Sequence, residues 1–266
     1  MISLKTKNWE INNIETILFD KDGTFIDLHY FWGKMTELRC IQIIEEFNLD
    51  DKLLSQLCLI LGFDIESQKM LPDGITAMFS RPVIIKIFKE KIEKYNVFTT
   101  EEAITKIFDN VNEIFNKNLV NYAKPIDEAI EFIKNIRKLG IKTGIVTSDS
   151  TESAILTVKH FSWENLFDCI IGREYSNETK ESGALSNIAL KKIGANPKTT
   201  IMIGDTPMDY LSAINSGIEK TILASTGQIT GEELIKTSPY IVNSLKEIEI
   251  TNSVYANNLQ DSQVLD

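Results

Sequence analysis

Thr16-Ile17-Leu18-Phe19 is a short, wholly apolar run that breaks off into Asp20-Lys21-Asp22-Gly23-Thr24. A run of this length, ended by a polar turn containing glycine, predicts a buried strand and a tight loop at its carboxyl end. From Tyr30 to about Val120 the pattern changes to helical periods. The clearest helix is Thr99 to Phe115, where Thr99 and Glu102 form a capping box. Its apolar stripe is Ala103, Ile104, Ile107, Phe108, Val111, Ile114 and Phe115. Leu53–Leu61 and Val83–Tyr95 also read as helices, with Pro72-Asp73-Gly74 a turn between them.

After Pro125 helices and strands alternate. Helices are expected at Asp127–Leu139, Glu152–His160, Ala184–Ile193 and Met208–Asn215, with Gly140, Gly194 and Gly217 as stops. Strands are expected at Ile141–Val146, Asp168–Ile171, Thr200–Ile203 and Thr221–Ala224. Such alternation implies a parallel sheet covered on both faces. The fold class is therefore α/β, a doubly wound parallel sheet with an α-helical module inserted after its first strand. The expected limits are 1–28 and 123–250 for the α/β core and 29–122 for the module. Residues 251–266, which lack Lys and Arg, are expected to be a flexible tail.

The chain of 266 residues is 43% hydrophobic, enough for one large core with an inserted module. Its 28 Lys+Arg against 38 Asp+Glu give a formal net charge of −10, with no basic run. Such a chain is repelled by phosphate backbones and anionic lipids, so neither nucleic acid nor a membrane is an expected partner. Met1 to Asn13 has no apolar core for a signal peptide, and the apolar stretches are too short to span a bilayer. Cys40, Cys58 and Cys169 are odd in number and far apart, which suits a reducing cytoplasm and buried packing roles. His29 and His160 are the only histidines, too few for a His-rich metal site and a poor basis for a serine–histidine hydrolase. Chemistry here must run on carboxylates.

In open parallel sheets, sites form beyond the carboxyl ends of strands. Four polar signals stand there: Asp20 to Thr24, Thr147-Ser148-Asp149, Lys180, and Gly204-Asp205-Thr206-Pro207-Met208-Asp209. Together they suit phosphoryl transfer. A carboxylate can attack phosphorus and form an aspartyl phosphate, and a neighbouring carboxyl can protonate the leaving oxygen and later activate water. Asp20 and Asp22, two apart, project to the same side if extended geometry persists. Asp205 and Asp209 add negative charge that only a divalent cation can offset, and an all-oxygen donor set favours Mg²⁺. Thr147 and Lys180 can donate to phosphate, helped by the free N–H groups at the start of the following helix.

These four segments, in this order, resemble the motifs of the haloacid dehalogenase superfamily, and the resemblance spans about Ile14 to Asn243. The helical insert is similar to the cap of the phosphoglycolate-phosphatase-like branch. The resemblance implies Asp20 as nucleophile, Asp22 as general acid/base, and Thr147 and Lys180 as phosphate binders. It implies Mg²⁺ held by the Asp20 carboxylate, the Asp22 backbone carbonyl and Asp205, with Asp209 behind them or acting through water. That branch usually has proline after the lysine, where this chain has Glu181. Lys159 and Lys191 lie in the flanking helices and do not replace Lys180. In this fold the cap supplies most of the specificity, and its candidates are Lys34, Arg39, Arg81 and Lys86.

Taken singly, each signal has a plainer reading: Asp20 and Asp22 as turn residues, Thr147 or Asp149 as a helix cap, Lys180 as a solvated lysine. Asp149 is left out of the site, and the aromatic cluster His29 to Trp32 reads as packing. The function expected is a phosphatase acting on a small phosphorylated metabolite. A phosphomutase of the β-phosphoglucomutase kind would share every core residue. Asp22 argues against a dehalogenase, the length and the insert argue against a receiver domain, and the intact set of groups argues against a non-catalytic phosphate-binding protein.

Overall fold

In the computed structural model, which describes residues 2–252, all four side chains of Thr16–Phe19 are buried, as a strand covered on both faces requires. It is the third strand: β1 (Ile2–Lys5) and β2 (Glu10–Ile14) precede it as an antiparallel pair, and Thr16–Phe19 is β3. Of the described residues, 2–25 and 125–252 make one compact unit, and Ile26–Lys124 make the other.

The second unit contains α1 (Leu28–Phe47), α2 (Leu54–Leu61), a hairpin of β4 (Phe63–Asp64) and β5 (Lys69–Met70), α3 (Ile75–Met78), α4 (Arg81–Ile92), α5 (Glu101–Lys117) and α6 (Leu119–Tyr122). Cys40, Ile43, Leu57, Leu61, Phe88 and Phe108 share its apolar core. Thr100 caps α5, one residue later than expected: its hydroxyl accepts from Ala103 N at 3.2 Å. Glu101 and Glu102 then both sit in the first turn, where the helix dipole favours them. Helix α4 starts at Arg81 because Pro82 suits a first turn. The hairpin has only two residues per strand, too few to show alternation. His29 to Trp32 pack within this unit. His29 Nδ1 accepts from Met70 N, Tyr30 donates to Asn121 O, and the Phe31 ring lies 4.9 Å from that of Phe115.

In the first unit the chain resumes with α7 (Asp127–Lys138), β6 (Lys142–Val146), α8 (Thr151–His160), β7 (Cys169–Ile171), α9 (Ala184–Ile193), β8 (Thr200–Gly204), α10 (Pro207–Asn215) and β9 (Lys220–Ala224). It ends with α11 (Gly231–Leu234), β10 (Tyr240–Val242) and β11 (Glu249–Asn252). The main sheet is parallel throughout, in the order β10-β9-β8-β3-β6-β7. Phe19 stands level with Ile145 of β6 and Ile203 of β8, so three carboxyl ends lie side by side.

A second sheet, β11-β1-β2, is antiparallel and was not expected. Alternation in β2 is broken by Asn13 at φ +62°, and β1 also pairs with a strand from the far end of the described residues, with Ile2 opposite Asn252. Thr251 and Asn252 therefore belong to a strand rather than to the expected tail, whose remaining residues, 253–266, lie outside the described ones. All three cysteines are buried and unbridged. Among the described residues, no helix is long and apolar enough to cross a membrane.

Candidate active site

Asp20 follows β3, and its N–H donates to Ile203 O at 2.9 Å, which ties the first loop to β8. Asp205 follows β8, and Asp209 lies in the first turn of α10. Oxygens of these three buried carboxylates lie within 4.8 Å of one another. Lys180, in a single turn of 3₁₀ helix, is buried with them, its Nζ 2.5 Å from Asp20 Oδ1 and 2.5 Å from Asp209 Oδ1. The glutamate after it does not displace it, and the Glu181 carbonyl accepts instead from Asn215. The second oxygen of Asp209 accepts from Asp205 N at 3.1 Å, Thr206 N at 3.0 Å and Thr206 Oγ1 at 2.8 Å. Asp209 thus closes the capping box of α10 and orients the loop that carries Asp205.

Three carboxylates against one ammonium leave negative charge in a buried space. Burial lifts the Asp20 carboxyl from 3.8 to about 7, the Lys180 charge opposing and the Asp209 and Asp22 charges adding. Burial, then the Asp20 and Asp209 charges, push Asp205 well above the usual carboxylate range. Burial pulls the Lys180 ammonium down, but Asp20 and Asp209 outweigh it and hold the group above its usual range.

Asp205 Oδ2 is buried and has no hydrogen-bond partner among the described residues. Two glycines keep its surroundings open. A Cβ on Gly23, which sits at φ +89°, would lie 2.3 Å from this oxygen, and one on Gly227 would lie 1.7 Å from it. An orphaned Asp205 oxygen, the neighbouring Asp20 carboxyl raised by burial, and an oxygen-only donor set fit a small hard divalent cation such as Mg²⁺. Gly227 and Thr226 follow β9, a fifth strand end that the sequence reading passed over; Thr226 Oγ1 donates to Gly23 O. A Thr-Gly pair after a short apolar strand was the available signal.

Asp20 and Asp22 pair with different lysines. Lys21 is wholly buried, its Nζ 2.6 Å from Asp22 Oδ1 and 3.1 Å from Asp149 Oδ2. The left-handed Gly23 turns the loop just after Asp22. Burial would raise the Asp149 carboxyl, but the Lys21 charge and hydrogen bonds from the α8 entry hold it below the usual range. The plainer reading of Asp149 as a helix cap does not hold. Ser150 caps α8, its Oγ accepting from Ser153 N at 3.1 Å, and Asp149 holds Lys21.

Thr147 is buried beyond the end of β6. Its N–H donates to Ile171 O at 3.0 Å, and its Oγ1 accepts from Asp149 N at 3.1 Å. The hydroxyl can still donate. All six residues singled out in the sequence thus stand at carboxyl ends of the parallel sheet. Asp20, Asp205, Asp209 and Lys180 interlock, while Asp22 and Thr147 are tied to the adjoining Lys21–Asp149 pair.

Comparison with known proteins identifies the family. The phosphoglycolate phosphatase of Aquifex aeolicus is 24% identical over 219 residues, covering 81% of this chain and 87% of the relative. The pyrophosphatase PpaX of Bacillus mycoides is 24% identical over 212 residues, covering 80% and 84%. Among solved structures, one described as a predicted phosphoglycolate phosphatase from Haemophilus somnus superposes with a TM-score of 0.67 at 16% identity, covering 95% of this chain and all of the other. A hydrolase of haloacid dehalogenase subfamily IA from Geobacter sulfurreducens gives 0.61 at 14% identity, covering 91% and 97%. The family profile of haloacid dehalogenase-like hydrolases matches residues 14–217, from the last residue of β2 to the glycine that follows α10, and the chain belongs to that family.

Proposed function

We propose that this hydrolase is a Mg²⁺-dependent phosphatase that cleaves a small phosphorylated metabolite through an aspartyl phosphate on Asp20. The observation that carries the reading is the buried Asp20 carboxylate at a strand end, held 2.5 Å from Lys180 and beside two further buried carboxylates. The relatives named as a pyrophosphatase and a phosphoglycolate phosphatase support a small phosphorylated substrate. The negative net charge and the buried, unbridged thiols suit a cytoplasmic enzyme that binds neither nucleic acid nor membrane.

A Mg²⁺ held by the Asp20 and Asp205 carboxylates and the Asp22 carbonyl, with Asp209 behind them, would offset their charge and favour the ionised Asp20 that can attack. An oxygen of Asp20 then forms the bond to phosphorus while the ester oxygen leaves. The Asp22 carboxyl gives its proton to that oxygen and later takes one from the water that splits the aspartyl phosphate. Lys180 and the Thr147 hydroxyl donate to the non-bridging oxygens, where charge builds up. Lys21 and Asp149 hold the Asp22 side chain in place for both transfers.

Hydrolysis of p-nitrophenyl phosphate that requires Mg²⁺ and stops with EDTA is the expected result. Full activity after chelation and dialysis would refute the metal assignment. Turnover in ¹⁸O-labelled water should place label in released phosphate. An isomerised phosphate ester as main product, formed only after priming by a bisphosphate, would replace the phosphatase with a mutase.

A further inference from the structure

Thr226 is bonded to a segment two strands away. In the parallel sheet β9 lies beside β8 and β8 beside β3, so the loops after β9 and β3 flank the one after β8. Gly204, the last residue of β8, is level with Leu223 of β9, and Asp205 comes next. Neighbouring strands lie about 4.8 Å apart, which puts β9 and β3 about 10 Å apart. The Thr226 hydroxyl nonetheless donates to the Gly23 carbonyl. That bond passes over the end of β8 and joins the loops on the two flanks of Asp205. A local turn does not explain it, because its partner lies 203 residues away.

The same two loops form the walls around Asp205 Oδ2. Gly23 and Gly227 leave room for this oxygen and little more, since a Cβ on either would fall within 2.3 Å of it. With no hydrogen-bond partner among the described residues, the oxygen is held by the shape of its slot. The spacing of the two glycines sets that shape. The β9 side is firm: Ser225 N donates to Val242 O at 2.9 Å and Ser225 Oγ to Asn243 Oδ1 at 3.1 Å, which ties the loop to β10. The other side is a glycine at φ +89°, whose backbone has the widest freedom. The Thr226 hydroxyl fastens the freer wall to the firmer one.

We propose that Thr226 is a positioning residue of the acidic centre: by tying Gly23 to the loop after β9, it keeps Asp205 in a narrow slot that suits a small divalent cation and disfavours a larger one. The part that concerns the cation rests on the metal reading above. Mg²⁺ demands a near-ideal octahedron of oxygens at about 2.0–2.1 Å. Ca²⁺ takes about six to eight oxygens at about 2.3–2.6 Å and often draws on both oxygens of a carboxylate. A carboxylate clamped between two backbones cannot turn to offer both.

Thr226→Val removes the donor at nearly constant volume, and Thr226→Ser keeps it. In EDTA the amides of Thr24 and Phe25, which donate to Lys21 O at 3.3 and 3.1 Å, report on the loop alone. Their hydrogen exchange should be about tenfold faster in Thr226→Val than in wild type, and unchanged in Thr226→Ser. Equal exchange in all three proteins would overturn the fastening. Calorimetric titration of the metal-free full chain with Mg²⁺ and with Ca²⁺ then reads the cation. Thr226→Val should raise Kd for Mg²⁺ about tenfold and Kd for Ca²⁺ much less, while Thr226→Ser binds both like wild type. Both constants rising by the same factor, or neither changing, would overturn the slot and leave Thr226 a packing role. Should Thr226→Val fail to fold, Thr226→Ala takes its place in both measurements. A wild type that binds neither cation overturns the metal reading and the selectivity with it, and the exchange rates then decide the fastening by themselves.

Discussion

Replacing Asp20 by Asn should stabilise the metal-free protein, although it removes the nucleophile. Burial lifts the Asp20 carboxyl from 3.8 to about 7, so the folded chain prefers this group protonated. Between those two values the folded state binds more protons than the unfolded one. Stability is therefore greatest below that window, falls as pH rises through it and levels off above it. The difference is worth about 4 kcal/mol by pH 8 and about 2 kcal/mol at pH 5. Asparagine stands in for the neutral acid and escapes that cost. Local relaxation and entering water lower such figures, so a gain of about 2–4 kcal/mol at pH 8 is expected, shrinking to about 1 kcal/mol at pH 5. Urea unfolding in EDTA at both pH values, followed by the fluorescence of the three tryptophans, measures it. Added Mg²⁺ should stabilise wild type more than the variant and close the gap, because binding to the folded state alone adds to its stability. A variant no more stable than wild type at pH 8 in EDTA would show that charge crowding does not govern this site.

Lys21→Met leaves Asp22 and Asp149 facing each other without their shared cation, and a loss of about 3–5 kcal/mol is expected by urea denaturation. A smaller loss with unchanged turnover would remove Lys21 from the account. Gly227→Ala puts a Cβ 1.7 Å from Asp205 Oδ2 and should raise the Mg²⁺ concentration for half-maximal activity by about tenfold or more; an unchanged metal requirement would mean that Asp205 is not a ligand. Thr147→Val should lower kcat/KM by about a hundredfold while Thr147→Ser keeps most of it, since only the hydroxyl donor is at stake; equal effects of the two would assign Thr147 to packing.

The α/β class and the positions of Asp20, Thr147, Lys180, Asp205 and Asp209 at strand ends were legible from local pattern. An apolar run of four or five residues followed by Gly or Asp is a strand and its terminating turn wherever the strand is placed, and a helix-stopping glycine acts within one turn. Strand order is a different matter. That β3 lies between β6 and β8, and so puts Asp20 level with the ends of both, depends on pairings across more than a hundred residues. The β11-β1-β2 sheet joins the two ends of the described chain, and no local signal announces it. Ion-pair partners were equally hidden. Nothing beside Lys21 in the sequence announces Asp149, which arrives from another loop, and nothing beside Arg39 announces Phe108 and Asn112, which α5 brings against it. Backbone torsion and side-chain polarity act over a few residues and are written in the sequence. Burial, and the charge compensation it demands, depends on which distant segments share a space, and only the tertiary structure decided that.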